Sequence, residues 1–239
     1  MIVTNPGAAS PFLLVGDHAG RKIPKALGSL GLGGGDLERH IAWDIGIGPL
    51  GVLLAEQLGA CFIAQRFSRL AIDCNRDPGS AAAVPEQSDG SVVPGNRQLT
   101  EAQRQARRSE IFDPYHRAIR EELDRRQAEG LSTIFVALHS FTPAMAGTSR
   151  PWSFGVLHGE PSPFSARVLA ALRFEPDGPL VGDNEPYAMD GNDFTVPHHA
   201  WGRGLDYLEL EVRQDLLGDA AGQRSVASRM ARVLRAALP

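Results

Sequence analysis

The sequence predicts an α/β fold, a sandwich in which helices cover a β-sheet. Short apolar segments with the character of strands alternate with longer segments rich in helix-forming residues, and no internal repeat interrupts the alternation. The 239 residues are also 43% hydrophobic, which is enough for one substantial core. We therefore expect a single domain over residues 1–239.

The first half of the chain contains two predicted strands with a helix between them. Residues 12–16 begin with "FLLV", four consecutive apolar residues typical of a buried strand. The segment "WDIGIGPLGVLLAEQLGA" (43–60) has the apolar stripe of a helix, and "CFIAQR" (61–66) follows as the next strand. Strand and helix thus alternate from the start of the chain.

The second half opens with a helical region. Residues 100–129 predict two helices that meet at a kink, with Thr100 as the N-cap, Pro114 as the interruption and Gly130 as the terminator. The remaining predicted elements are strands at 132–140, 152–159 and 206–214 and a final helix at 225–238.

Residues 77–98 predict a long loop. The segment holds three prolines and three glycines and shows no sustained period. Loops of this length inside a compact domain are usually lids or binding loops, or they are disordered. Both interpretations stay open at the level of sequence.

Composition argues against several classes of protein. A formal net charge of -4 provides no basic field for a phosphate backbone, so we expect no nucleic-acid partner. Cys61 and Cys74 are too few for a disulfide framework and are typical of a reduced compartment. No apolar run approaches membrane-spanning length, and residues 1–10 lack the pattern of a signal peptide. The expected protein is cytoplasmic and has no membrane partner; the sequence does not indicate its oligomeric state.

Two predicted strands end in a histidine. "LLVGDH" ends at His18, and "FVALHS" contains His139. Ligand sites of open α/β sheets gather beyond the carboxyl ends of the strands, where both imidazoles would lie. Catalytic zinc commonly has three protein ligands, so a further histidine or a carboxylate would complete the set. For each histidine alone, a partly buried ring bonded to backbone explains the pattern equally well.

A polar cluster, "RFSRLAIDCNRDP" (66–78), begins at the end of the strand predicted at 61–66. The cluster contains Asn75 and Arg76 side by side. A planar guanidinium can bind a carboxylate through two hydrogen bonds, and an asparagine beside it can add a directional one. A clamp for a substrate carboxylate is one interpretation of the cluster. An exposed strand and turn with surface ion pairs is the other.

Two glutamates share one face of the strand predicted at 206–214, because Glu209 and Glu211 are two residues apart. A carboxylate beside a zinc-bound water serves as general base in amide hydrolysis. A solvent-facing stripe that also contains Arg213 explains the spacing equally well.

Eight short motifs occur in order along the chain, namely "GDHAGRKIP", "HIAWDIG", "SRLAIDCNRDP", "PYHRAI", "ALHSF", "GDNEPY", "DFTVPHHA" and "LELEVRQDL". Together they resemble the N-formylglutamate amidohydrolase family over most of the chain. That family is similar to the zinc carboxypeptidases and to deacylases of N-acyl amino acids. The resemblance implies a three-layer α/β/α sandwich with a mixed, mostly parallel central sheet, of the phosphorylase/hydrolase-like kind. It also implies a hydrolase that cleaves a small N-acyl amino acid, with N-formyl-L-glutamate as the expected substrate.

The resemblance also implies the metal site, with one bound Zn2+ ion or another divalent metal. His18 and His139 match the two histidine zinc positions of the wider superfamily. The carboxypeptidases have a glutamate ligand three residues after the first histidine, whereas this chain has Arg21 there, which cannot bind zinc. We expect Asp44 to be the third ligand, although an interaction with the start of a helix also explains its position.

The remaining site residues are implied by the same resemblance. Asn75 and Arg76 resemble the clamp for the substrate carboxylate, and Arg69 takes a supporting place. Glu211, in "LEVRQ", resembles the general-base glutamate, and Thr195 is expected to donate to the substrate. Arg76 and Glu211 are therefore the expected catalytic residues.

His116, His198 and His199 also lie in family-like motifs. We expect His116 to pack against the loops of the first strands rather than to bind the metal. Two other functions stay open. One is an enzyme of the same fold that acts on a different N-acyl amino acid or a small peptide. The other is a non-catalytic ligand-binding protein, which the presence of ligands, clamp and base argues against.

Overall fold

Seven strands form one mixed β-sheet in the computed structural model, which describes residues 1–160 and 162–239. The strands are β1 (Ile2–Thr4), β2 (Phe12–Gly16), β3 (Cys61–Ala64), β4 (Ile134–Phe141), β5 (Phe154–Leu157), β6 (Val181–Asp183) and β7 (Asp206–Arg213). Their order across the sheet is β1-β3-β2-β4-β7-β5-β6. Neighbours from β3 to β7 are parallel, β1 and β5 pair antiparallel with β3 and β7, and β6 is parallel to β5. The sheet is mixed and mostly parallel, as predicted.

Over the same residues there are six α-helices. They are α1 (Ile47–Leu58), α2 (Glu101–Arg107), α3 (Asp113–Ala128), α4 (Pro163–Arg173), α5 (Thr195–His199) and α6 (Ala220–Ala236). Two small hairpins lie outside the main sheet, formed by Gln87–Ser88 with Ser91–Val92 and by Ala144–Met145 with Thr148–Ser149.

Successive side chains of the strands pack on opposite faces of the sheet. On one face, Leu14 and Val136 belong to an apolar cluster with residues of α1, α4 and α6. On the other face, Leu13 and Phe135 pack with residues of α3 and α5. Burial of each such side chain stabilises the fold by about 1.5–3 kcal/mol. Helices cover both faces, which confirms the predicted three-layer sandwich.

The helical region at 100–129 has the predicted two helices and a more specific junction. Thr100 caps α2, because its hydroxyl accepts the N–H of Gln103 at 3.2 Å while the Gln103 side chain accepts the Thr100 N–H at 2.8 Å. A π-helical turn, Arg108–Phe112, joins α2 to α3. Pro114 lies in the first turn of α3, directly after this π-helical turn.

Strands β1 and β6 and helices α4 and α5 were not predicted from the sequence. The two strands have three residues each and lie at the edges of the sheet, so they show no period. The signal for α4 was present, since Val168, Leu169 and Leu172 have helical spacing and are buried. The prediction of one domain over 1–239 stays a prediction.

The predicted loop at 77–98 is ordered by the small hairpin at 87–92. Arg39, which lies outside the loop, binds this hairpin: its Nη2 donates a hydrogen bond to Asp89 Oδ2 at 2.9 Å. Asn96, fully buried near the loop's end, donates to the carbonyl of Leu70 at 2.9 Å. Within the described ranges, none of the helices combines the length and the apolar character that a membrane crossing requires.

Candidate active site

The carboxyl ends of three neighbouring parallel strands bring the predicted residues together. β2 leads directly into Asp17 and His18, β4 carries His139, and β7 carries Glu209 and Glu211. β4 and β7 are paired so that Glu211 lies beside His139. The residues therefore meet at the edge of the sheet where ligand sites of open α/β sheets are found.

His18, Asp44 and His139 form a buried group that could hold a metal ion, with one ligand atom of each within 4.8 Å of the others. Asp44 Oδ2 lies 3.5 Å from His18 Nδ1 and 2.9 Å from His139 Nδ1. His18 Nδ1 is buried and has no hydrogen-bond partner among the described residues. Two ring nitrogens and a carboxylate oxygen, one nitrogen being orphaned, fit the donor set of a zinc ion.

The far nitrogen of each ring faces a second carboxylate. His18 Nε2 lies 2.7 Å from Asp73 Oδ1, and His139 Nε2 lies 3.4 Å from Asp17 Oδ2. Metal-binding histidines characteristically present their second nitrogen to such a group, which orients the ring. Sequence reasoning did not assign a role to Asp17 or Asp73. Their available signals were the position of Asp17 directly before His18 and that of Asp73 within the polar cluster 66–78.

Asp44 reaches the histidines because its segment is fixed by backbone contacts. Its N–H donates to the His18 carbonyl at 2.9 Å, and the Ser140 N–H donates to Asp44 Oδ2 at 3.3 Å. Arg69 Nη1 lies 3.5 Å from the other carboxylate oxygen. An interaction with a helix start alone does not account for these contacts.

Carboxylates reverse the effect of burial on both rings. Burial and a nearby arginine would lower the pKa of His18, but Asp73 and Asp44 outweigh them and raise it. Burial would likewise lower the pKa of His139, and the neighbouring carboxylates of Asp17 and Asp44 raise it well above the ordinary value. The surrounding carboxylates thus favour positive charge on the two rings.

Glu209 and Glu211 are buried beside the histidines, so the solvent-facing alternative for this stripe is wrong. Burial raises the pKa of Glu209 to about 7 and that of Glu211 to about 8, although His139 opposes the rise. Oε2 of each glutamate has no hydrogen-bond partner among the described residues. Both carboxyl groups are therefore able to exchange a proton near neutral pH.

Arg69 and Arg76 line the same cavity, and each is paired with an aspartate. Arg69 donates to Asp73 Oδ2 from Nε at 3.0 Å and from Nη2 at 2.7 Å. Arg76 donates to Asp193 Oδ1 from Nη1 at 3.0 Å. All hydrogen bonds of Arg76 within the described residues use Nη1, which leaves Nε and Nη2 for a carboxylate.

Asn75 is joined to Thr195, and Thr195 to Asp17, by hydrogen bonds. Asn75 Oδ1 accepts the N–H groups of Phe194 at 3.0 Å and of Thr195 at 2.9 Å. Thr195 is fully buried, and its hydroxyl donates to Asp17 Oδ1 at 2.9 Å. The structure places Asn75, but not Thr195, on the cavity wall among the described residues. The predicted contact of Thr195 with substrate stays a prediction.

The site opens into a cavity of about 560 Å³, a volume suited to a small organic molecule. The loop at 77–98 forms part of its wall through residues that include Gln87 and Asp89. The binding-loop interpretation of this segment therefore agrees with its position.

His116 and His199 form a separate buried pair. His116 Nδ1 lies 2.9 Å from His199 Nε2, and His116 Nε2 lies 2.9 Å from the Cys74 carbonyl oxygen. Among the described residues, neither belongs to the group that could hold a metal ion. Their contacts are those of packed structural histidines, as expected for His116.

Comparison with known families adds the remaining observation. The sequence profile of N-formylglutamate amidohydrolases matches residues 10–218. The chain belongs to the N-formylglutamate amidohydrolase family. The resemblance seen in the motifs is confirmed, and the family is one of amidohydrolases acting on a small molecule.

Two solved structures are similar over nearly the whole chain. A gene product from Agrobacterium tumefaciens is 37% identical, with a TM-score of 0.95 over 99% of this chain and 93% of that one. An N-formylglutamate amidohydrolase from Ralstonia eutropha is 21% identical, with a TM-score of 0.76 over 98% of this chain and 96% of that one. The second likeness shows the shared fold. No curated protein matches the chain.

Proposed function

We propose that this protein is a zinc-dependent amidohydrolase that cleaves N-formyl-L-glutamate to formate and L-glutamate. The observation that carries the proposal is the group of His18, Asp44 and His139, in which a further carboxylate faces each ring. Such backing is typical of metal ligands. Three protein ligands leave a fourth position open, as in catalytic zinc sites.

When bound, a zinc ion would polarise the formyl carbonyl and lower the pKa of a neighbouring water. Glu211 is the proposed base, because its place beside His139 puts its carboxylate next to the metal ligands. It takes a proton from the attacking water and delivers it to the amide nitrogen as the C–N bond breaks. Formate and the free amine of glutamate result. Glu209, on the same face, is the alternative base.

Arg76 and Asn75 hold a substrate carboxylate in this proposal. The free Nε and Nη2 of Arg76 supply the two parallel donors, and the Asp193 carboxylate on Nη1 keeps the guanidinium in place. Arg69, tied to Asp73, provides positive charge beside the metal ligands. The clamp contributes to catalysis by fixing the scissile amide relative to the base.

The proposal is tested with protein purified without chelator. Formate release from N-formyl-L-glutamate is measured beside release of acid from N-acetyl-L-glutamate and from a small dipeptide control, together with metal content by elemental analysis. We expect zinc in the protein and the highest kcat/KM for the formyl substrate. Faster cleavage of another amide would reassign the substrate. Bound metal without any hydrolysis would indicate a ligand-binding protein.

A further inference from the structure

Arg150 differs from the two arginines of the proposed clamp region because it has no acidic partner among the described residues. Arg69 and Arg76 form ion pairs with Asp73 and Asp193. The side-chain hydrogen bonds of Arg150 within residues 1–160 and 162–239 go only to two hydroxyl groups and a thioether. Its charge is therefore available to an anionic ligand.

Arg150 is not itself one of the described residues that line the cavity, but its guanidinium contacts three residues that do. Nη1 donates to Thr142 Oγ1 at 3.2 Å and to Tyr187 Oη at 2.8 Å, and the Tyr187 ring lies 4.6 Å away in a cation–π contact. Nη2 contacts the Met145 sulfur at 3.1 Å, which is a weak acceptor. Thr142, Met145 and Tyr187 all line the cavity. Over the described residues, the Nε and Nη2 edge thus lacks a strong acceptor, and such an edge binds a carboxylate through two hydrogen bonds.

The backbone around Arg150 fixes its position. The Arg150 N–H donates to the Pro143 carbonyl at 2.8 Å, which closes the small hairpin of Ala144–Met145 and Thr148–Ser149. The side chain therefore starts from a closed loop rather than from a free chain segment, and it loses less entropy when it binds a ligand.

Tyr187 is fixed by a close approach between chain segments. A Cβ atom on Gly155 would lie 2.2 Å from the Glu185 carbonyl oxygen, and one on Gly182 would lie 2.4 Å from it. Only glycine at these two strand positions lets the segment before Tyr187 lie this close to β5 and β6. The tyrosine that supports Arg150 is thereby held at the cavity.

We infer that Arg150 binds the side-chain carboxylate of an acidic N-acyl amino acid and so selects dicarboxylate substrates. The inference rests on the proposed function. N-formyl-L-glutamate carries two carboxylates, and the clamp of Arg76 and Asn75 accounts for one of them. Arg150 provides a guanidinium without an acidic partner, among the residues the structure describes, for the other.

Kinetics with N-formyl-L-glutamate and N-formyl-L-glutamine test this assignment, because the two compounds differ only in the charge and hydrogen bonding of the side-chain end. Arg150→Gln is expected to lower kcat/KM for the glutamate compound by about 10- to 100-fold, mainly through KM, as for loss of a hydrogen bond to a charged group. It should leave the glutamine compound within about twofold. Tyr187→Phe keeps the ring and should show a smaller fall with the same selectivity.

Arg224→Gln is the matched control, because Arg224 is exposed on α6, away from the cavity; it should change neither value. An equal loss on both compounds in Arg150→Gln, or no loss, overturns the inference. Hydrolysis of neither compound by the wild type overturns the proposed function instead. In that case, calorimetry measures the binding of the two compounds to the wild type and to Arg150→Gln. Selectively weaker binding of the glutamate compound to Arg150→Gln supports the inference about Arg150, and unchanged affinity overturns it.

Discussion

Two pairs of buried histidines have nearly the same spacing, but their pKa values are shifted in opposite directions. The ring centroids of His18 and His139 are 5.1 Å apart, and those of His116 and His199 are 5.2 Å apart. Carboxylates raise the pKa of both rings of the first pair despite their burial. Burial lowers the pKa of His116 to about 4 and that of His199 to about 2.

The neighbours of the rings, rather than their burial, make this difference. His116 and His199 satisfy ring nitrogens with each other and with a backbone carbonyl, so both rings are stable when neutral. The rings of His18 and His139 face the carboxylates of Asp17, Asp44 and Asp73. Two imidazoles that lie close together therefore do not by themselves favour a cation. The negative charge of surrounding carboxylates is also needed.

Removal of either proposed metal ligand in the first pair should have the largest effect. We expect His18→Ala and His139→Ala each to lose the bound metal and to reduce hydrolysis to background. His199→Gln is the control in the second pair and should retain stoichiometric metal. Elemental analysis and circular dichroism of the purified variants check this. Metal that survives in a folded His18→Ala or His139→Ala protein would remove that residue from the ligand set.

Loss of the proposed base should have the next largest effect. Glu211→Gln keeps the shape of the side chain but cannot accept a proton, so turnover should fall by about 10²–10⁴-fold while the metal is retained. Glu209→Gln is the control on the same strand face. If Glu209→Gln abolishes turnover and Glu211→Gln does not, the base is Glu209. If neither matters, the base is not on β7.

Weakening a backing carboxylate should have an intermediate effect. Asp73→Asn removes the charge that faces His18 Nε2 at 2.7 Å, and the affinity for zinc should fall by about 10- to 100-fold. Competition with a chromogenic chelator measures this affinity. Asp124→Asn, an exposed partner of Arg203 on the surface, is the matched control. Equal affinities for Asp73→Asn and the wild type would show that the backing carboxylate does not support the metal.

The second pair should change how the free energy of unfolding depends on pH, and it should have the smallest effect on hydrolysis. Because the folded-state pKa of His116 and His199 is lowered, the unfolded chain binds more protons below about pH 6.5. The free energy of unfolding should therefore fall by several kcal/mol from this pair as the pH is lowered from about 6.5 toward 4. Urea unfolding at several pH values should show a shallower fall in His199→Gln than in the wild type. Parallel curves would contradict this account.

Local patterns predicted much of the fold and part of the candidate site. The apolar run of β2 and the histidine after it are neighbours in sequence, so one short segment indicated both the strand and the candidate residue His18. The pairing of His18 with Asp73 had no such local pattern, because the two residues are 55 positions apart in the sequence. Arg150 and Tyr187, which are 37 residues apart, meet only through the packing of two loops. Such contacts arise from tertiary structure and have no local sequence period.

Zinc titration of metal-free protein tests the central claim most directly. Metal is removed with a chelator, zinc is added in steps, and formate release from N-formyl-L-glutamate is recorded for the wild type and for His18→Ala. Activity of the wild type should rise in proportion to zinc and level off at about one equivalent, as expected for a single catalytic site, while His18→Ala stays inactive. Full activity in the metal-free wild type, or the same rise in His18→Ala, would contradict the account.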